Sequence, residues 1–199
     1  MPKVLVVSTS AATLAGGETG VWLEELATPY YVFKQAGFDL TLANPAGGPS
    51  PIDRGSMGEG FFTDACKKFL HDQEAMSAFC HQKYLSDVDV SGFDAIYMTG
   101  GHGCCTDFVE NGALKKAIES LYSAGKVVAA DCHGPICFAQ CSKTDGTPLV
   151  AGLNVTGFSD VEEGQVQQTG NVPFLIEAKF KEQGGKFSAI ATRAECVSP

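Results

Sequence analysis

The sequence predicts an α/β fold with a mostly parallel central sheet sandwiched between helices. Three observations carry that expectation. Residues 3–8 (KVLVVS), 94–99 (DAIYMT) and 127–130 (VVAA) are short apolar runs without the polar alternation of a half-exposed strand. Such runs suit strands covered on both faces. Segments of helical spacing lie between them, and strand, helix, glycine and strand follow one another within the first 43 residues. That order is the opening of a βαβ unit.

Residues 3–8 are the first buried strand. A small, glycine-containing loop follows at 9–17, and 20–36 reads as a helix with a kink or restart at Pro29, which cannot donate to the helix ladder. Residues 38–43 (FDLTLA) form the second strand. The Gly- and Pro-rich stretch 44–60 must be a loop. Residues 61–85 carry apolar residues at helical spacing (Phe61, Ala65, Phe69, then Met76, Phe79 and Cys80). They read as one or two added helices, so 55–91 is expected to be a helical insertion beside the site. His71 and His81, among charged neighbours, read as solvated helix-surface residues. Residues 94–99 make the third strand, and 112–125 a helix with Leu114, Ala117, Ile118 and Leu121 on one face. The strand 127–130 then meets Asp131-Cys132-His133-Gly134-Pro135, and 136–141 reads as a buried helix with Pro135 in its first turn. The pattern in 148–158 suggests a hairpin around Gly152, and 159–163 (SDVEE) a capped helix start. A helix over 172–184 and a short strand over 187–191 complete the chain. Repeats and linkers are absent, so 1–199 reads as one domain.

Composition narrows the function. At 199 residues with 44% hydrophobic and 19% charged residues, the chain can bury a core without disulfide staples. A net charge of −9 argues against nucleic acid and anionic membranes as partners. The apolar start Val4 to Val7 is too short for a signal-peptide core, so a cytoplasmic setting is expected. The eight cysteines then read as reduced thiols. They contain no C-x-x-C pair, and Cys137 and Cys141 share one apolar helix face, so neither metal nor cofactor is expected.

Residues 126–135 (KVVAADCHGP) are the stretch the rest of the chain serves. Ala130 two before Cys132 and Gly134 two after it repeat the logic of the G-x-S-x-G nucleophile elbow, where small flanks allow a sharp turn after a strand. A thiol there would sit over the N–H groups of a helix start, which favour a thiolate. His133, next to it, is a candidate base, and Asp160, Glu162 and Glu163 could orient it. Glu24 and Glu25 lie in an otherwise apolar helix opening, where a buried carboxylate needs a partner. Gly100-Gly101-His102-Gly103 directly follows a strand, where open α/β sheets place ligand loops. It lacks the spacing of dinucleotide and phosphate loops and suits backbone approach to a developing oxyanion.

These residues resemble the ThiJ/PfpI superfamily, which has a flavodoxin-like, class I glutamine amidotransferase-like fold. Within it the chain is similar to the glutathione-independent glyoxalase and chaperone branch. The resemblance rests on 19–53, on GGHGCCTDF at 100–108, on DCHGP at 131–135 and on PLVAGLNVTGFSDVEE at 148–163, in the family's order. It implies that Cys132 is the reactive cysteine, His133 its base, Glu163 rather than Glu162 the acidic third member, and Glu25 the carboxylate that hydrogen-bonds the sulfur. Gly101, His102 and His133 would supply oxyanion and substrate contacts. The pattern departs at its end. Relatives continue with a strand and a G-x-N-P-x-S segment, whereas this chain reads Cys196-Val197-Ser198-Pro199.

The implied activity is conversion of a small 2-oxoaldehyde, methylglyoxal, to lactate without glutathione or metal. This is D-lactate dehydratase seen from the reverse reaction. A redox sensor, a holdase chaperone and a Cys-His-Glu amidase or peptidase stay open beside it. A homodimer and unfolded clients stay open as partners.

Overall fold

The computed structural model describes residues 1–189. Five parallel strands form the central sheet in the order β5-β4-β1-β6-β7. They are β1 (Lys3–Val7), β4 (Asp39–Asn44), β5 (Lys83–Tyr84), β6 (Ala95–Met98) and β7 (Val127–Ala130). Two small pairs lie outside it: β2 (Thr13–Leu14) with β3 (Gly17–Glu18), and β8 (Asn154–Val155) with β9 (Lys186–Phe187). The helices are α1 (Leu23–Gln35), α2 (Asp64–His71), α3 (Gln73–Cys80), α4 (Cys104–Asp107), α5 (Gly112–Ser123), α6 (Asp160–Gln165) and α7 (Ile176–Glu182).

β1 shows why its sequence does not alternate. Val4 and Val6 pack with α1, α2 and α3 in one core, while Leu5 and Val7 pack in the other with α5 and the segment after Cys132. Both faces of the strand are therefore apolar and buried. The α/β sandwich is the expected one. α1 presents Leu23, Leu26, Ala27 and Tyr30 to the sheet, and α5 presents Leu114, Ala117, Ile118 and Leu121. Asn111 caps α5 through the Leu114 N–H, and Ser159 with Glu162 closes a capping box on α6. His71 and His81 are exposed, each bonded to a carbonyl one turn back in its own helix.

Several expectations fail locally. The hairpin over 148–158 does not form. The chain turns through bonds from Ala151 N–H to Pro148 O and Leu153 N–H to Val150 O, and β8 pairs in parallel with the distant β9. α1 starts at Leu23 rather than Gly20 because Val21 exchanges backbone bonds with Pro51 and Asp53. Residues 23–35 form one element through Pro29, so the helix does not restart there. The segment after His133 is a 3₁₀ helix, Gly134–Gln140, rather than an α-helix. The helix expected over 172–184 shortens to α7, and of the strand expected over 187–191 the described residues show β9, Lys186–Phe187, while 190–191 lie outside them. β7 is a sheet edge among the described residues, leaving Val127 61% exposed where a fully buried strand was expected.

All five strands point their C-terminal ends the same way, and the turns after β1, β6 and β7 meet there. Gly134 is what lets β7's successor dock on β6. A Cβ at that position would lie 2.6 Å from the Met98 carbonyl oxygen. Gly134→Ala should therefore destabilise the fold by about 1–3 kcal/mol, the range for overpacking. Urea denaturation monitored by circular dichroism checks this, and an unchanged midpoint would contradict the packing argument.

Candidate active site

Cys132 is the residue where β7's path breaks. Its φ is +49°, left-handed backbone that a non-glycine side chain adopts only where its surroundings hold it. The surroundings do so. Asp131 N–H donates to Met98 O, Gly134 N–H to Asp131 O at 2.7 Å, and Phe158 N–H to Cys132 O at 2.9 Å. The elbow expected from the small flanks is present, and it raises the thiol above the sheet's C-terminal edge.

Three elements close on that sulfur. His133, in the next position, brings Nδ1 to 3.3 Å from Cys132 Sγ. The turn after β6 supplies the Gly101 N–H, which hydrogen-bonds the sulfur. The first turn of α1 supplies Glu25, whose carboxyl also hydrogen-bonds it. Gly100 leaves no spare volume between them: a Cβ there would be 2.3 Å from Glu25 Oε2 and 2.5 Å from Cys132 Cβ. Burial raises the thiol's pKa, the Glu25 and Asp131 carboxylates raise it further, and the Gly101 N–H opposes them. The sequence argument from a helix N-terminus therefore needs correcting. The donor comes from the turn at Gly101, and the segment after Cys132 is a 3₁₀ helix.

His133 is 1% exposed, and its Nε2 hydrogen-bonds Glu163 Oε2 at 2.8 Å. Burial lowers its pKa, with Glu163 pulling the other way, so the imidazole is neutral at neutral pH and able to accept a proton. Phe158 packs against it with ring centroids 4.3 Å apart. The other Glu163 oxygen, Oε1, is held by His102 Nε2 at 2.8 Å, and the His102 ring lies 3.9 Å from that of His133. Burial pushes the Glu163 carboxyl up, but the bonds from His102 and His133 outweigh it and bring the pKa to about 2. Glu163 thus stands as a carboxylate between two imidazoles. Glu162, the other acid of the pair, turns away to close the capping box on Ser159.

Cys132, His133, Glu25, Gly101 and His102 border one cleft of about 550 Å³, and Glu163 lies behind the two histidines, bonded to both. The sequence reading assigned no second imidazole to Glu163, and it did not single out Asp131, Trp22 or Phe158. The one signal for the first was His102 itself, placed directly after a strand in the Gly100–Gly103 run. Asp131 also lines the cleft, hydrogen-bonded to Tyr97, and burial raises its carboxyl to about 7. His102, His133 and Glu163 hold their donor atoms within 4.8 Å of one another, a grouping with the residue types of a metal site. Each oxygen of that carboxylate already accepts an imidazole hydrogen bond. The other cysteines near the site are shut in: burial raises the thiols of Cys104, Cys105 and Cys137. All seven cysteines among the described residues are free thiols.

The chain belongs to the DJ-1/PfpI family, whose pattern matches residues 14–173. It is 31% identical over 194 residues to Glyoxalase 3 of Candida albicans, covering 92% of this chain and 81% of that protein. It is 30% identical over 201 residues to glutathione-independent glyoxalase HSP31 of Saccharomyces cerevisiae, covering 94% and 83%. The crystal structure of glyoxalase III from Candida albicans superposes with a TM-score of 0.85 at 28% identity, covering 96% of this chain and 84% of that one. The Rapid Encystment Protein of 24 kDa from Francisella tularensis superposes at 0.91 with 32% identity, covering 97% and 86%.

The depressed Glu163 carboxyl has a consequence for acid stability. Its pKa falls from an ordinary 4.5 to about 2 in the fold. A depressed carboxyl contributes stability that is complete above the unfolded value and lost as pH falls through the folded one. Between pH 4.5 and 2 the melting temperature should fall more steeply for the wild type than for Glu163→Gln, and the two curves should converge at the acid end. Calorimetry across that range checks it, and parallel curves would contradict the assignment.

Proposed function

We propose that this protein converts methylglyoxal to lactate without glutathione, with Cys132 as nucleophile. The observation that carries the reading is the unbroken chain Cys132–His133–Glu163, whose first two members line the cleft. The names of the similar proteins in Candida albicans and Saccharomyces cerevisiae support it. Amide hydrolysis would use the same triad, but none of those names favours it.

His133 Nδ1 takes the thiol proton as Cys132 sulfur adds to the aldehyde carbon. The aldehyde oxygen then receives a proton, which gives a hemithioacetal. A neutral imidazole suits this step better than a preformed thiolate, because burial and two nearby carboxylates disfavour the anion. His133 next removes the proton from the former aldehyde carbon and returns one to the neighbouring carbon through an enediol, leaving a thioester. Water cleaves the thioester, releasing lactate and the free thiol, so the sum is methylglyoxal plus water. Gly101 N–H supplies an oxyanion contact as it leaves the sulfur. Glu163 orients His133, and His102 holds Glu163 from its other side while its ring borders the cleft. Glu25, when protonated, donates to the sulfur and removes the like-charge conflict. In this reading the protein works in a reducing, cytoplasmic setting. Homodimer formation and client binding are separate properties: aggregation suppression that survives Cys132→Ala unchanged would place any chaperone activity elsewhere.

Incubation with methylglyoxal in the absence of glutathione, with lactate assayed enzymatically, tests the reading. Cys132→Ala should abolish lactate formation, while Cys137→Ala and Cys104→Ala keep most of it. His133→Ala should lower kcat by about 100-fold or more, the scale of a positioned acid–base group. Glu163→Gln should act in the same direction and more weakly. Equal losses at all three cysteines would overturn the assignment.

Glu25 has its own test, based on oxidation of the thiol by added peroxide. A carboxylic acid at Glu25 can hold a sulfinate oxygen in a charge-assisted bond. Peptide mass spectrometry across a peroxide titration should find Cys132 converted to the sulfinic acid before the other cysteines. Glu25→Gln should keep part of that selectivity and Glu25→Leu should lose it. An unchanged order of oxidation in Glu25→Leu would remove Glu25 from this role.

A further inference from the structure

The cleft is far larger than the substrate just described needs. Its volume of about 550 Å³ falls in the range of about 300–1,000 Å³ that holds whole ligands. A three-carbon aldehyde on Cys132 displaces the volume of a few waters, each about 30 Å³. The remaining space has walls of definite chemistry. Trp22 and Phe61 meet edge to face, with ring centroids 5.1 Å apart and planes at 81°. Phe158 lines the same space from the side of His133.

Trp22 is fixed rather than draped over the cleft. Its backbone N–H donates to Gly100 O at 3.3 Å, so the chain that carries the indole is anchored to the turn that also presents Gly101 N–H to the sulfur. Gly55 passes against the ring: a Cβ there would lie 3.4 Å from Trp22 Cζ3. Phe61 follows Gly60, whose φ is +84°, and at 37% exposure it forms the rim. The lining offers an anion no fixed positive charge. Glu25, Asp131 and Glu162 border the cleft, and no lysine or arginine is among the described residues lining it. A carboxylate or phosphate carried in with the substrate would lose water and meet no cation.

We propose that the site selects neutral 2-oxoaldehydes whose carbonyl substituent is bulky and apolar, an aryl group above all. That group lies on the wall made by Trp22 and Phe61, and the site rejects the same aldehydes when they carry an anionic group. The inference rests on the glyoxalase reading, because it takes Cys132 as the point where the aldehyde is anchored.

The test compares kcat/KM for methylglyoxal, phenylglyoxal and 4-carboxyphenylglyoxal in the wild type, Phe61→Ala and Phe61→Leu, with product acids measured by chromatography. The wild type should favour phenylglyoxal over its carboxylated form by about 100-fold or more, the discrimination expected when a charge enters without a partner. The phenylglyoxal to methylglyoxal ratio should fall about fivefold or more in Phe61→Ala and less in Phe61→Leu, which keeps apolar contact. Using the ratio cancels the aldehydes' intrinsic reactivity and any general loss of active protein. A ratio within twofold of wild type in Phe61→Ala, or equal turnover of the carboxylated aldehyde, overturns the proposal. The two readings fail differently. Absence of lactate from methylglyoxal in the wild type would refute the reaction itself, whereas lactate formation with an unchanged ratio refutes only the selectivity.

Discussion

The site depends on one steric constraint, the near-contact of three backbone segments at the C-terminal edge of the sheet. Gly100 leaves room for Glu25 and Cys132 to lie side by side, and Gly101 passes so close to the segment leading into α1 that a Cβ would be 2.3 Å from Gly20 O. Gly134 admits the chain beneath Met98 and Thr99. These glycines sit where β6 and β7 end, so the positions of Cys132, Glu25 and the Gly101 N–H are set by a single packing arrangement. The unfavourable φ of Cys132 is retained because the bonds to Met98, Asp131 and Phe158 on either side of it are made only in that conformation. Backbone strain at the nucleophile is offset by packing that the fold requires anyway.

Electrostatics follow from the same crowding. A buried thiol beside Glu25 and Asp131 resists ionisation, yet the neighbouring His133 stays neutral for the same reason, burial. The two shifts fit together: the resting site holds an uncharged thiol and an uncharged base, and charge separates only when a substrate arrives. Glu163 provides the fixed negative end. Two imidazoles hold it as a carboxylate although it is 3% exposed, and this leaves His133 with Nδ1 rather than Nε2 toward the sulfur.

Much of this was legible in the sequence because it is local. The elbow lies within Ala130–Gly134, the strands declare themselves by unalternated apolar runs, and Ser159 with Glu162 spells out its own cap. That cap also settles why Glu163 rather than Glu162 faces the histidines. Glu162 at the third helical position is drawn back to Ser159, which leaves Glu163 to project inward. The failures are non-local. Whether 148–158 folds on itself depends on β9, some thirty residues away, and a two-residue parallel pair has almost no sequence signature. The start of α1 was misplaced because Val21 bonds to Pro51 across a loop of unpredictable path.

The second imidazole on Glu163 belongs to the same non-local class, and it shows how far local reading can reach. The positions of His102 and His133 each follow from a strand end, and β6 and β7 are neighbours in register, Met98 opposite Ala130. Given only that pairing, the turns after the two strands must lie side by side, and histidines three and four residues beyond the register pair can be neighbours in space. The ring separation of 3.9 Å is thus a consequence of sheet order. Sheet order is the piece of information that apolar periodicity leaves out, since every buried parallel strand reads alike whichever neighbour it takes. A site assembled from consecutive residues can be read from the chain. One assembled across β6 and β7 needs the topology first.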